Sequence, residues 1–426
     1  LVKMSLRMIL FEIVNLKLFE FSIIFLLTFL NIGCGSEDKK EEKHNGYYSE
    51  AYGSKDDAEV FLLDNISPRL IDFRIESKFP YRLYFNSSEV IRGTSANGFI
   101  VANKVIVDIK LNQGELTDHY FVLEEPLTYW DNLTIRYIGG SDLKDSEGKG
   151  IYPFSIRYVR NDLFEPKSNK YNYFISVTGN DLNDGLSEES SWRTITKAGK
   201  SVKAGSTVWI KAGDYGDENI SIKASGTITD PIKFIGYKYK PGDASKLKRK
   251  QDLNFNEKEM PLIQSSNLLG IGLITNHDYI IIRNFQVIGY ESSIHFGKSN
   301  HTILDNVYVK NGKKYNINGF NYHGFQNRII NSYVSNSQSC GIRMAGSSHL
   351  IQNVYACSSG SPNMDYYISI YGGLIGVGNH IIRNCIVKRD PDDSHSGHGI
   401  SVKSKGKDLH YTLIENCEIE EVSQAI

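Results

Sequence analysis

The chain has 426 residues, with 48 Lys plus Arg against 49 Asp plus Glu and a net charge of −1. That length holds two or three domains with a large core, and the balance lacks the basic stripe that nucleic-acid binding needs. With 26 Tyr, only 10 Pro and few long apolar runs, the composition leans toward β structure.

Lys3, Arg7 and Lys17 precede an apolar run at 21–33. The run is too short to span a membrane and suits a secretion signal. Cys34 follows Gly33, and the charged stretch 35–59 reads as a solvated tether. Gly33–Cys34 resembles a bacterial lipobox, although Leu30 stands one position farther back than is usual. The resemblance implies a leader over 1–34, lipid on Cys34, and an exported lipoprotein at the outer membrane or cell surface. Membrane contact would then run only through that anchor; a plain signal peptide is the alternative.

Residues 60–160 carry short alternating runs separated by turn residues, which predicts a β-sandwich. The stretch "LTIRYIGGSDLKDSEGKGIYPF" resembles the last hairpin of bacterial immunoglobulin-like modules. That implies a spacer or binding module without chemistry of its own.

Over 171–222 a strand leads into a Gly/Asn/Asp turn. Ser191 can then cap a helix over 192–202, with Trp192, Ile195, Ala198 and Val202 on one face, before a further strand. This stretch resembles the N-terminal cap and first coil of right-handed parallel β-helix proteins, several polysaccharide lyase families among them. Asp181, Asn183 and Asp184 have the composition of a calcium loop, but no Glu follows at the required spacing, so a structural turn is expected.

From 278 the chain repeats itself. Asn284, Asn306, Asn331, Asn353, Asn384 and Asn416 each follow an Ile or Leu by two residues and precede a small or apolar residue by three. Their spacings are 22, 25, 22, 31 and 32 residues. Period-two apolar residues would point inward and stack between coils ~4.8 Å apart. Asn tolerates the left-handed backbone of a tight corner, and its amide can bond along the column. The pattern resembles the asparagine ladder of pectate-lyase-like β-helices. An L-x-x-L-x-L frame, which a leucine-rich repeat needs, is absent. The expected fold is all-β: a β-sandwich over 60–160, then a right-handed parallel β-helix with a short N-terminal capping helix over 170–426. Cys385 and Cys417 share a column and read as a buried stack, with a disulfide as the alternative.

A second strand per coil aligns Ile294, Ile342, Ile368 and Ile400 inward, and His295, Arg343, Ser369 and Ser401 outward. Tyr371 and Lys403 take the next outward positions. The two longest Asn intervals lengthen the loops "CSSGSPNMDYY" and "KRDPDDSHSGH", on one edge of this column. Loops raised over a rigid sheet are where such scaffolds build clefts. Asp390, Asp392 and Asp393 could ligate Ca²⁺, which would neutralise a uronate carboxylate. Lys403, Arg343 and His398 are the candidate catalytic groups, with Lys403 or Arg343 as base or charge stabiliser, and His395 or His398 as acid or base. Tyr371, His295 and His395 are candidate substrate contacts. His380 and His410 beside turns read as structural.

The resemblance implies a lyase on a uronate-containing polysaccharide, acting as a monomer. The chain lacks the paired-Asp signature of one calcium-dependent lyase family and a clear Arg-x-Pro-x-x-Arg motif of another. A glycoside hydrolase using Asp365 and Asp392, or a glycan-binding protein stacking sugars on Tyr308, Tyr333 and Tyr371, are the alternatives. The sequence ends at Ile426 partway through what reads as a further coil, so a longer protein is expected.

Overall fold

The computed structural model describes residues 6–10, 67–244, 256–267, 269–359, 364–372, 378–391, 397–403 and 411–426. Cys34, Asp392, Asp393, His395 and His410 lie outside the described residues. Leu6–Leu10, within the segment read as a leader, forms a strand antiparallel to the last strand, Thr412–Glu420.

Seven strands between Leu70 and Asn161 pair almost wholly antiparallel. Their alternation turns Phe85, Phe99, Phe121, Tyr137 and Phe154 into one aromatic core. Within it Phe85 stacks on Phe121 at 4.7 Å and Phe99 on Tyr137 at 4.1 Å.

From Tyr171 onward the strands pair in parallel, each with its counterpart one coil on. Such crossovers are right-handed, and the result is a right-handed parallel β-helix. The register carries Asn284 to Asn306, Asn331, Asn353, Asn384 and Asn416 in a single column. All six have φ between 50° and 59°. Asn306 Nδ2 donates to Asn284 Oδ1 at 2.7 Å, and Asn353 Nδ2 to Asn331 Oδ1 at 3.0 Å. Between those pairs Asn331 Nδ2 turns to Asp305 Oδ1 instead. One coil before Asn284 stands Gly236, where a Cβ would meet the Asn284 carbonyl at 2.0 Å. Inward Ile282, Leu304, Ile329, Ile351, Ile382 and Ile414 stack in the core. Cys385 and Cys417 join that stack as thiols, with no disulfide between them.

A second left-handed corner lies five residues before each of the first five Asn: Tyr279, His301, Gln326, Ser348 and Asn379, with φ of 54–57°. Five different residue types fill it, so no repeated letter marks it.

The capping helix is shorter than expected. It spans Ile195–Ser201, and Thr194, not Ser191, caps it by accepting from Lys197 N. Trp192 is held in extended backbone by the Phe174 carbonyl, which delays the helix start. Ile195 and Ala198 are buried as predicted, against the first coil. Asp181 accepts from Arg193 N and Thr194 N, so the turn of Asp181, Asn183 and Asp184 braces the helix entry.

The sandwich is docked on the solenoid. Trp130 packs with Ile281 and Ile303, and Ile156 with Leu350, Ile381 and Leu413. Arg328 is buried there, donating to Asn132 Oδ1 and to the Tyr129 and Asp131 carbonyls. These contacts cover the outer side of the strands that precede the Asn corner. Across the corner, Tyr308 and Tyr333 are also covered, by Met260 and Ala244.

Candidate functional site

The third side of each coil belongs to a separate parallel sheet of seven strands, the face sheet. Five of them build the site: Ser292–His295, Tyr315–Phe325, Cys340–Ser347, Tyr366–Gly372 and His398–Lys403. Buried Ile294, Ile317, Ile342, Ile368 and Ile400 fix which residues point outward. Their registers create three columns. One runs Ser292, Tyr315, Cys340, Tyr366, His398. The next runs His295, Asn318, Arg343, Ser369, Ser401. The third runs Phe320, Ala345, Tyr371, Lys403.

Arg343 sits in an aromatic box. Its guanidinium carbon is 3.7 Å from the Phe320 ring centroid, 5.1 Å from Tyr315 and 5.4 Å from Tyr371. It donates to Tyr315 Oη at 3.1 Å. Lys403 Nζ donates to Tyr366 Oη at 2.6 Å and lies 5.7 Å from the Tyr371 centroid. Both cations therefore approach one ring, Tyr371, from coils on either side of it. His398 stacks on Tyr366 with centroids 4.9 Å apart. Small Ala345 lets Phe320 and Tyr371 close over it, 5.1 Å apart. Among the described residues neither cation has a carboxylate partner.

Electrostatics revise one expectation. Burial pulls the Lys403 ammonium down, but its bond to Tyr366 and the nearby phenols outweigh this, and its pKa is raised. Lys403 is thus a standing cation at neutral pH and does not fit the role of base. Burial pushes the Cys340 thiol up to about 12, so it is a neutral floor residue. The His295 imidazole is lowered by burial and bonded through Nδ1 to Asn318 Nδ2 at 3.1 Å.

Arg343, Tyr371, Lys403 and His398 lie together on this face, and His295 lies two coils behind Arg343. Asp365 is exposed beside Tyr366, its carbonyl accepting from His398 N. Asp390 is half-buried, with its backbone N–H on Ser358 Oγ. Among the described residues no three His, Cys, Asp or Glu side chains converge as a metal site. The sugar platform envisaged on Tyr308 and Tyr333 is corrected: both rings are 6% exposed, and Tyr333 Oη takes a bond from Cys357 Sγ. A chain segment distant in sequence, around Met260, buries them. Sequence reasoning missed Tyr315, Phe320, Tyr366 and Asn318. Tyr315 and Tyr366 stand two residues before inward Ile317 and Ile368, so strict period-two alternation would have turned them inward and concealed them.

No family profile matches the chain. An 80-residue stretch is 38% identical to the uncharacterized protein YwoF of Bacillus subtilis (strain 168), covering 19% of this chain and 16% of that protein. Among solved structures, a rhamnogalacturonan lyase matches at TM-score 0.38 and 14% identity, over 55% of this chain and 73% of that one. Pectate lyase Pel9A matches at TM-score 0.38 and 16% identity, over 59% and 79%. An alginate lyase from Paenibacillus sp. str. FPU-7 matches at 0.34 and 16%, over 45% and 63%.

Proposed function

We propose that this protein is a surface-anchored, polysaccharide-degrading lyase acting on a uronate-containing chain. The observation that carries the reading is the pair of cations, Arg343 and Lys403, flanking the Tyr371 ring on the face sheet, with no described carboxylate to neutralise them. Tyrosine rings stack on the apolar faces of sugars, and the cations suit their carboxylates. In β-elimination a base removes the C5 proton. The C–H electrons form the C4=C5 double bond, and O4 departs with the C4–O4 pair and takes up a proton. Negative charge builds on the carboxylate as the proton leaves, so cations fixed beside it lower the barrier. Arg343 and Lys403 take that role. His398, stacked on Tyr366 next to Lys403, takes the proton-transfer role.

Calcium fits the described face poorly, since its donors are cations and phenols; of the three Asp proposed as ligands only Asp390 is described. No step is routed through the metal. Incubation with galacturonate, mannuronate and guluronate polymers tests the reading. Ultraviolet absorbance from unsaturated ends should rise together with reducing ends, and EDTA measures any calcium requirement. Reducing ends without that absorbance would mean hydrolysis; neither would mean binding alone. Anchoring through Cys34 predicts that Cys34→Ala moves the protein from the membrane fraction to the medium, and wild type already in the medium would refute it.

A further inference from the structure

Four polar atoms on the face sheet are shut away from water without a partner among the described residues: Ser292 Oγ and Ser293 Oγ lie on the strand Ser292–His295, while Asn318 Oδ1 and Ser369 Oγ flank Arg343. Asn318 is 7% exposed and Ser369 fully buried. They hold the same outward position on either side of Arg343, one coil before it and one coil after. A buried orphan of this kind forfeits the hydrogen bond it makes to water in the unfolded chain, and here two of them bracket a guanidinium.

We infer that Asn318, Arg343 and Ser369 form a polarised seat for one hexuronate unit, its carboxylate toward Ser369 and a ring hydroxyl toward Asn318. The inference rests on reading this face as a uronate-chain site and assigns its direction. Asn318 donates through Nδ2 to His295 Nδ1, which leaves Oδ1 as an acceptor. An acceptor repels a carboxylate and calls for a hydroxyl donor. Ser369 can donate, and its flanks are cationic: Arg343 lies one coil back, Lys403 one coil on in the neighbouring column. An anion there gains a hydroxyl bond and two charges, whereas over Asn318 it would meet a carbonyl dipole. The Tyr371 ring, two residues beyond Ser369 on the same strand, supplies the stacking surface. The unit consequently lies with its carboxylate displaced toward the C-terminal coils.

Equilibrium binding is the readout, because seating and cleavage can fail separately. The probes are hexasaccharides of galacturonate and of mannuronate, each paired with its carboxyl-reduced counterpart, titrated calorimetrically into the full chain. Wild type should prefer at least one acidic probe over its reduced partner by about tenfold or more, the size of a charge-assisted hydrogen bond. Ser369→Ala should shrink that preference several-fold and leave affinity for the reduced probe nearly unchanged. Asn318→Ala should weaken both members of the pair alike. Melting temperature checks that each variant folds; should one fail, the other carries the test. The proposal is overturned if no acidic probe binds, if acidic and reduced probes bind equally, or if both variants bind as wild type, in which case the two atoms hold ordered water. Selective binding without unsaturated products would leave the seat intact and remove the lyase reading alone.

Discussion

Asn353 couples two requirements in one side chain. Its φ of 55° places it in the left-handed region, and its amide donates to Asn331 Oδ1 at 3.0 Å. Ala at this position would lose the bond and strain the backbone, a combined cost of about 1–3 kcal/mol. Gly would lose the bond but keep the backbone free. Denaturant unfolding should therefore rank wild type above Asn353→Gly and Asn353→Ala lowest. A glycine variant less stable than the alanine variant would show that the backbone argument is wrong. At the site, the same scale separates Lys403 from a base: the bond to Tyr366 Oη keeps it protonated, so its contribution is charge.

Among the elements, the two corners of each coil were unequally legible. The Asn corner could be read because one residue type combines left-handed tolerance with an amide that bonds its neighbour. The corner of Tyr279, His301, Gln326, Ser348 and Asn379 could not, since the packing of the sandwich and the coil above imposes that conformation on whatever residue stands there. The face strands were legible through their inward Ile residues, which fixed Arg343, Tyr371 and Lys403 as outward. The covering of Tyr308 and Tyr333 was not, because Met260 approaches from an intervening segment that carries no periodic pattern. Burial has a measurable consequence at the unread corner. His301 is stacked on Tyr279 and edged by Trp130, and His349 Nε2 donates to the Ala345 carbonyl within the coil. Burial lowers both imidazoles from 6.5 to about 4, against the opposing pull of Asp131 and Asp278 on His301. The folded state thus binds fewer protons than the unfolded chain between these values. Their contribution is complete above pH 6.5 and is lost as pH falls toward about 4, at up to about 1.4 kcal/mol per pH unit for each histidine. Unfolding midpoints measured across that window should drop with acid, and His301→Phe should flatten the slope. A pH-independent midpoint from 6.5 to 4 would contradict the assignment.

At the scale of the whole molecule, cover among the described residues is distributed unevenly over the three sides of the solenoid. The sandwich lies on one through Trp130, Ile156 and Arg328, and the Met260 segment on the second. The third presents Arg343, Tyr371, Lys403 and His398. Docking of this extent makes the sandwich a brace for the coils, beyond the spacer that its sequence suggests. The central claim is that the two cations of the third side act on an acidic polysaccharide. The most direct measurement is turnover of wild type, Arg343→Ala and Lys403→Ala on one such polymer, with melting temperature followed in parallel. Each variant should lose about 100-fold or more in turnover, while Lys403→Ala melts nearly as wild type because a half-buried surface Lys contributes little to folding. Wild-type turnover in both variants would contradict the account.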